Sequence, residues 1–248
     1  MATQAAEEQR SIAFVIALKS GLHSDFEIVC GKDVYAVHKV IITALSPYFD
    51  NAVKFDAAGK EKEDERIEFP EDDPLLIKAL VQFMYELDYD LPPLPQAALL
   101  HQTRPPPRVT SFLPPAPARC PHGFDHFFSC PKDHSKHAPE HLALHAALYT
   151  LADKYLMPAL QDLCAEKFKD CAHLYCRTPE FPRAIEMIFA ELPQGDVKMK
   201  MAVIETLTDQ SSLCLEPKIN ALLHDHSDLS VGVIENAVKE SNRINFPK

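Results

Sequence analysis

Asp25-Phe26-Glu27-Ile28-Val29, then Tyr35-Ala36-Val37-His38-Lys39-Val40-Ile41-Ile42, then Leu45-Ser46-Pro47-Tyr48-Phe49: these three blocks decide the fold. Asp25 to Val29 alternates polar and apolar residues, the period of a strand with one face buried. Cys30-Gly31-Lys32-Asp33 is turn chemistry, and Val34 to Val37 predicts a second short strand, so the pair reads as a hairpin. From His38 the period changes to that of a helix. Val40, Ile41, Ala44 and Leu45 fall on one side, and Ser46-Pro47 should end the helix, because the residue before a proline disfavours helical backbone. Tyr48, Phe49 and Val53 continue as the apolar face of a further helix. The charged run Ala57 to Glu65 reads as a solvated loop.

On the N-terminal side, Gln4 to Leu18 carries Ile12, Val15, Ile16 and Leu18 at helical spacing, and Gly21 is placed to stop the helix. On the C-terminal side, Arg66 to Phe69 predicts a third strand. Pro70-Glu71-Asp72-Asp73-Pro74 then has the makings of a helix start, with Asp72 or Asp73 as cap and Pro74 in the first turn. Leu76, Leu80, Phe83 and Met84 should face inward. Leu91 to Glu140 is different in kind: it holds twelve prolines and little periodicity. Proline removes backbone donors and blocks helix and central strand alike, so this stretch is expected to be a disordered insertion. Order should resume at His141 with the stripe Leu144, Ala147, Leu148, Leu151, Ala152, Tyr155. Pro158 restarts the chain for Leu160, Leu163, Cys164 and Phe168. Helical segments follow at 181–192, 197–207, 218–224 and 229–239. A small three-stranded sheet packed on a helical cluster, an α+β layout, buries these faces.

Composition narrows the function. The 248 residues are 46% hydrophobic and 25% charged, enough apolar material for a core. A formal charge of −11 opposes binding to phosphate-rich partners, so neither direct nucleic-acid nor membrane binding is expected. Six glycines leave little material for a phosphate-cradling loop, and none of the GxSxG, GxxxxGK[ST], HExxH or GxGxxG signatures occurs. We therefore expect no enzyme, no cofactor and no small-molecule substrate. Seven cysteines without framework spacing read as reduced thiols of the cytoplasm or nucleus.

The three opening blocks together resemble the BTB/POZ signature. Ile67-Glu68-Phe69-Pro70-Glu71-Asp72-Asp73 and Phe83-Met84-Tyr85 resemble its third strand and the helix after it, and Leu151-Ala152-Asp153-Lys154-Tyr155 its A-D-K-Y motif. The resemblance covers about residues 20–172, broken by the insertion at 91–140, and leaves residues 173–248 as a helical extension. It looks most like the short BTB proteins of filamentous fungi, which often carry a variable Pro/Cys/His-rich insertion before the A-D-K-Y helix and an all-helical tail. No kelch, MATH, ankyrin or zinc-finger module accompanies it.

The resemblance implies a protein–protein interaction module that forms a homodimer, with Ile12, Val15 and Ile16 at the dimer contact. It implies an adaptor or scaffold, with a cullin-3-type ubiquitin ligase as a possible partner. A scaffold outside any ligase, a transcription co-regulator or a regulatory zinc-binding insertion are the alternatives. It also places Asp25, His38 and Lys39 in a charged pocket near the dimer surface. The bland reading, a fold-stabilising pair beside a packed histidine, is preferred, since buried charges without a nucleophile or metal are usually structural. Cys120, His122, Cys130 and His134, in a Cys/His cluster that also holds His137 and His141, could supply four zinc ligands. Their spacing departs from the paired Cys-x2-Cys form, so no metal is assigned to them. The proline runs at 105–107 and 114–117 could bind SH3 or WW modules, and read first as stiff linker.

Overall fold

The structure is a computed structural model that describes residues 4–59, 65–92, 137–193 and 195–245. The expected disordered insertion falls almost wholly on residues 93–136, outside those described. The chain divides into two compact units, Met1–Asp90 with Ala147–Ala165, and Leu91–Ala146 with Glu166–Lys248.

The first unit opens with helix α1 (Gln4–Ser20). It stops where expected: Gly21 adopts φ 61°, and its N–H donates to the Ala17 carbonyl at 3.0 Å. A side chain at Gly21 would also crowd Ala36, whose Cβ would lie 3.1 Å away. Strands β1 (Phe26–Cys30) and β2 (Asp33–Val37) form the antiparallel hairpin, with Cys30 opposite Asp33. Its two-residue loop starts at Gly31 with φ 58°, the backbone that a Gly-X hairpin turn demands. β1 points Phe26, Ile28 and Cys30 into the core. After helices α2 (Lys39–Leu45) and α3 (Pro47–Gly59), strand β3 (Arg66–Glu68) pairs parallel with β1, giving the order β2-β1-β3.

Two local expectations are corrected. In α2 the wholly buried residue is Ile42, while Val40 is 76% exposed and Ile41 and Leu45 are half-buried. Three aliphatics in a row, Val40-Ile41-Ile42, leave the rotation of a seven-residue helix open; tertiary contacts at its first turn set it. Also, α3 runs to Gly59, so Ala57 to Gly59 are helical rather than loop. The alanines there are strong helix formers that prolong it.

Helix α4 (Pro74–Glu86) starts as its sequence predicts. Asp73 is the cap, its carboxylate accepting from the Leu75 N–H at 2.8 Å. Leu76, Leu80, Phe83 and Met84 are buried. Asp72, the other candidate cap, has a separate task. Its carboxylate accepts from Lys154 Nζ at 2.8 Å and from the Tyr155 hydroxyl, and its backbone carbonyl accepts from Cys30 Sγ. Tyr155 follows helix α5 (His141–Lys154) and precedes helix α6 (Pro158–Tyr175). Its own carbonyl accepts from Ser46 Oγ at 2.6 Å, and Ser46 Oγ in turn accepts from the Phe49 N–H, capping α3. Around these bonds Tyr48, Phe69 and Phe49 pack on the Tyr155 ring at centroid distances of 4.8, 5.0 and 6.1 Å.

The regular elements of the second unit, among its described residues, are all helices. The start of α5 and the second half of α6 are followed by α7 (Glu180–Glu191), α8 (Lys198–Asp209), a 3-10 turn (Ser211–Leu215), α9 (Pro217–Asp225) and α10 (Ser227–Asn245). Phe181, Ile185 and Ile188 of α7, Met199, Val203 and Leu207 of α8, and Leu229 of α10 are buried. Lys200 is buried too. Its ammonium meets Asp228 at 3.0 Å and lies over the Phe189 ring, so the charge is paired rather than stranded.

Two predictions follow from the Tyr155 junction. Replacing Asp72 by alanine strands the buried Tyr155 hydroxyl and should cost about 1–3 kcal/mol, read as a lower urea midpoint with unchanged slope. A smaller loss in an Asp72→Ala/Tyr155→Phe double variant would show that the stranded hydroxyl carries the effect. Separately, burial, reinforced by Asp33, pushes the Tyr35 hydroxyl up to about 12, and burial with the Asp72 bond pushes Tyr155 up as well. A phenol whose folded pKa is raised holds its proton while the unfolded chain releases it. Stability is therefore full below pH ~10 and falls as pH rises from there toward the folded values. Thermal melts across that range should show the loss, and a flat profile would contradict it.

Candidate functional site

The N-terminal helix presents two faces. Ala17 and Leu18 are half-buried, and the helix packs against α4 and β2. Ile12 and Ile16, one turn apart, are turned away from the rest of the chain and are 52% and 59% exposed; Val15, between them in sequence, is half-buried. Residues four apart on a helix form one contiguous patch. The expected dimer residues thus divide: Ile12 and Ile16 are offered to solvent, and Val15 lies at the edge of the helix's own packing.

Asp25, His38 and Lys39 are brought together, though not as a buried ion pair. The exposed Asp25 carboxylate accepts from the Lys39 backbone N–H at 2.7 Å, fixing the first residue of α2. The Lys39 ammonium goes to Glu65 at 2.9 Å and sits 5.6 Å from the Phe26 ring centroid. Glu65 is exposed and Lys39 partly so, and such a solvent-facing pair contributes little to stability. His38 is half-buried and fully engaged. Its Nε2 lies 3.0 Å from the Leu22 carbonyl, which can only accept, so Nε2 carries the proton. Nδ1 then accepts from the Tyr85 hydroxyl at 2.8 Å, and the same hydroxyl oxygen accepts from the His38 N–H, also at 2.8 Å. A histidine with both nitrogens committed in this way is a brace, not a general base. Burial pushes the Tyr85 hydroxyl up, which keeps it a donor.

Cys120, His122, Cys130 and His134 lie outside the described residues. Among the described residues a different set converges. His137, just before α5, His145 on α5 and Cys171 on α6 bring their ligand atoms to within 4.8 Å of one another. His145 and Cys171 are buried and His137 half-buried. The sequence marks only His137, as part of the Cys/His cluster; His145 and Cys171 lie eight and thirty-four residues further on and follow no motif.

The comparisons bear on the first unit. The BTB/POZ domain family matches residues 16–102. The chain contains a BTB/POZ domain. The match spans the end of α1, the hairpin, α2, α3, β3 and α4. Among solved structures, the BTB domain of zebrafish PATZ1 aligns at 14% identity with a TM-score of 0.39, over 68% of this chain and 98% of that one. No curated protein matches the sequence. A BTB/POZ domain is a protein–protein interaction module of a non-enzymatic family. In this one, the polar residues Asp25 and His38 of the signature brace neighbouring elements, and α1 presents Ile12 and Ile16 to solvent as a candidate for contact with partners.

Removing the Tyr85 hydroxyl by Tyr85→Phe leaves the His38 N–H and Nδ1 without their partner, and should destabilise the domain by about 1–3 kcal/mol in a denaturant titration. An unchanged midpoint would mean that the His38 brace is dispensable.

Proposed function

We propose that this protein is an assembly module whose BTB/POZ domain forms a homodimer through the outward face of α1, and that the chain serves as an adaptor or scaffold. The observation that carries the reading is the pair Ile12 and Ile16, held outward on a helix whose opposite face is already packed. Burying one exposed isoleucine against a partner is worth about 1.5–3 kcal/mol, and a two-fold contact gathers the pair from both copies. In this reading the domain extends past the insertion to about residue 172, since Ser46 and Asp72 both bind the A-D-K-Y segment. Residues 173–248 are then a helical extension. The buried thiols Cys30, Cys171 and Cys176 accord with a reducing compartment, cytoplasm or nucleus.

The finer reading of the partner is a cullin-3-type ligase scaffold. It is supported by the resemblance, which places that contact after Phe83-Met84-Tyr85, and by Leu87, which ends α4 with 63% of its surface exposed. Binding of a cullin-3 N-terminal domain to the purified protein, lost in Leu87→Asp, would make it a ligase adaptor. No binding would leave a scaffold or co-regulator.

Light scattering on the full chain should give twice the 27.8 kDa chain mass. Ile12→Asp/Ile16→Asp should return it to the single-chain mass with an unchanged circular dichroism spectrum, because neither side chain is buried in its own fold. A monomeric wild type, or a variant that stays dimeric, would overturn the reading.

A further inference from the structure

We propose that His137, His145 and Cys171 form a zinc site. The three donors come from separate positions in the second unit: the turn that leads into α5, the second turn of α5, and the last turns of α6. Two hydrogen bonds hold the turn against α6. Tyr175 Oη donates to the His137 carbonyl at 2.8 Å, and Cys171 Sγ donates to the Ala138 carbonyl at 3.4 Å. His141 adds a third tie, its Nδ1 accepting from the Ala138 N–H. The backbone that carries His137 is therefore positioned by α5 and α6, which also carry the other two donors.

Two imidazoles and a thiolate are a donor set that zinc accepts readily. Zn–N and Zn–S bonds of about 2.0 and 2.3 Å put tetrahedral ligand atoms about 3.3–3.6 Å apart. From a mutual spacing within 4.8 Å, rotamer adjustments of about an ångström close the site. Zinc also needs neutral imidazole. Burial, then the nearby His141, Lys167 and His137, hold His145 well below the usual histidine range, so it is already deprotonated near neutrality. Cys171 is the opposite case. Burial, then Glu140 and Asp170, push its thiol up to about 12, so it meets the metal as S–H. Binding then transfers that proton to solvent, breaks the bond to Ala138 and forms Zn–S. The described residues supply three protein ligands, and water takes the fourth position. The ion would clip the start of α5 to the second half of α6 within the second unit.

The test uses the full-length protein, stripped with a chelator and titrated with Zn²⁺ against a chromogenic competitor, then with Co²⁺ as a spectroscopic probe. We expect one equivalent of zinc and a thiolate-to-cobalt charge-transfer band. Cys171→Ser should abolish the band, and His137→Ala, at a half-buried position ahead of the helix, should weaken zinc binding by more than about 100-fold. A variant replacing Cys120, His122, Cys130 and His134 together should keep both band and affinity. Circular dichroism checks that each variant is folded; if Cys171→Ser is not, His137→Ala decides. The proposal fails if the wild type binds no stoichiometric zinc. It fails equally if binding follows the Cys120–His134 variant and ignores His137.

Discussion

Everything in the first unit depends on where Tyr155 is held. The chain leaves this unit after α4 and returns within α5, so the domain must be closed by contacts between residues more than eighty positions apart. Asp72 supplies one, accepting from the Tyr155 hydroxyl and from Lys154. Ser46 supplies the other, gripping the Tyr155 carbonyl while it caps α3. The Lys154–Asp72 pair stays exposed, while the aromatic rings of Tyr48, Phe49 and Phe69 pack around the Tyr155 ring and the Ser46 bonds are buried. In that low-polarity setting an unmade bond is costly, which is why the junction needs these residue types and not merely polar ones.

This also explains what the signature blocks are for. The serine of the Leu45-Ser46-Pro47-Tyr48-Phe49 block, the acid of Pro70-Glu71-Asp72-Asp73 and the Lys-Tyr of Ala152-Asp153-Lys154-Tyr155 are three sides of one junction. The histidine of the second block likewise answers to Tyr85. Polar residues set among aliphatics suggest a site, but in this chain each is spent on joining two elements. Ile12 and Ile16, which the core does not use, are left facing solvent.

Much of this was legible in sequence. Alternation in Asp25–Val29, turn residues at Gly31 and a cap at Asp72 or Asp73 each have a local physical cause, so hairpin and helix starts can be read directly. Ile12 and Ile16 could be marked as a stripe for the same reason. What could not be read depends on long-range placement. The rotation of α2 is hidden in the uniform run Val40-Ile41-Ile42. The assignment of Lys39 to Glu65, with Asp25 taking the backbone amide instead, is a matter of reach that spacing does not encode. The meeting of His137, His145 and Cys171 is made by helix packing, while Cys120, His122, Cys130 and His134 of the Cys/His cluster marked in the sequence lie outside the described residues.

The central claim is that this domain works by self-assembly through the outward face of α1. The most direct measurement is an isotope-filtered NOE experiment on a mixture of copies, one methyl-labelled at isoleucine and the other not. The account predicts intermolecular contacts at the Ile12 and Ile16 methyl groups. Association without such contacts, or no association at all, would contradict it.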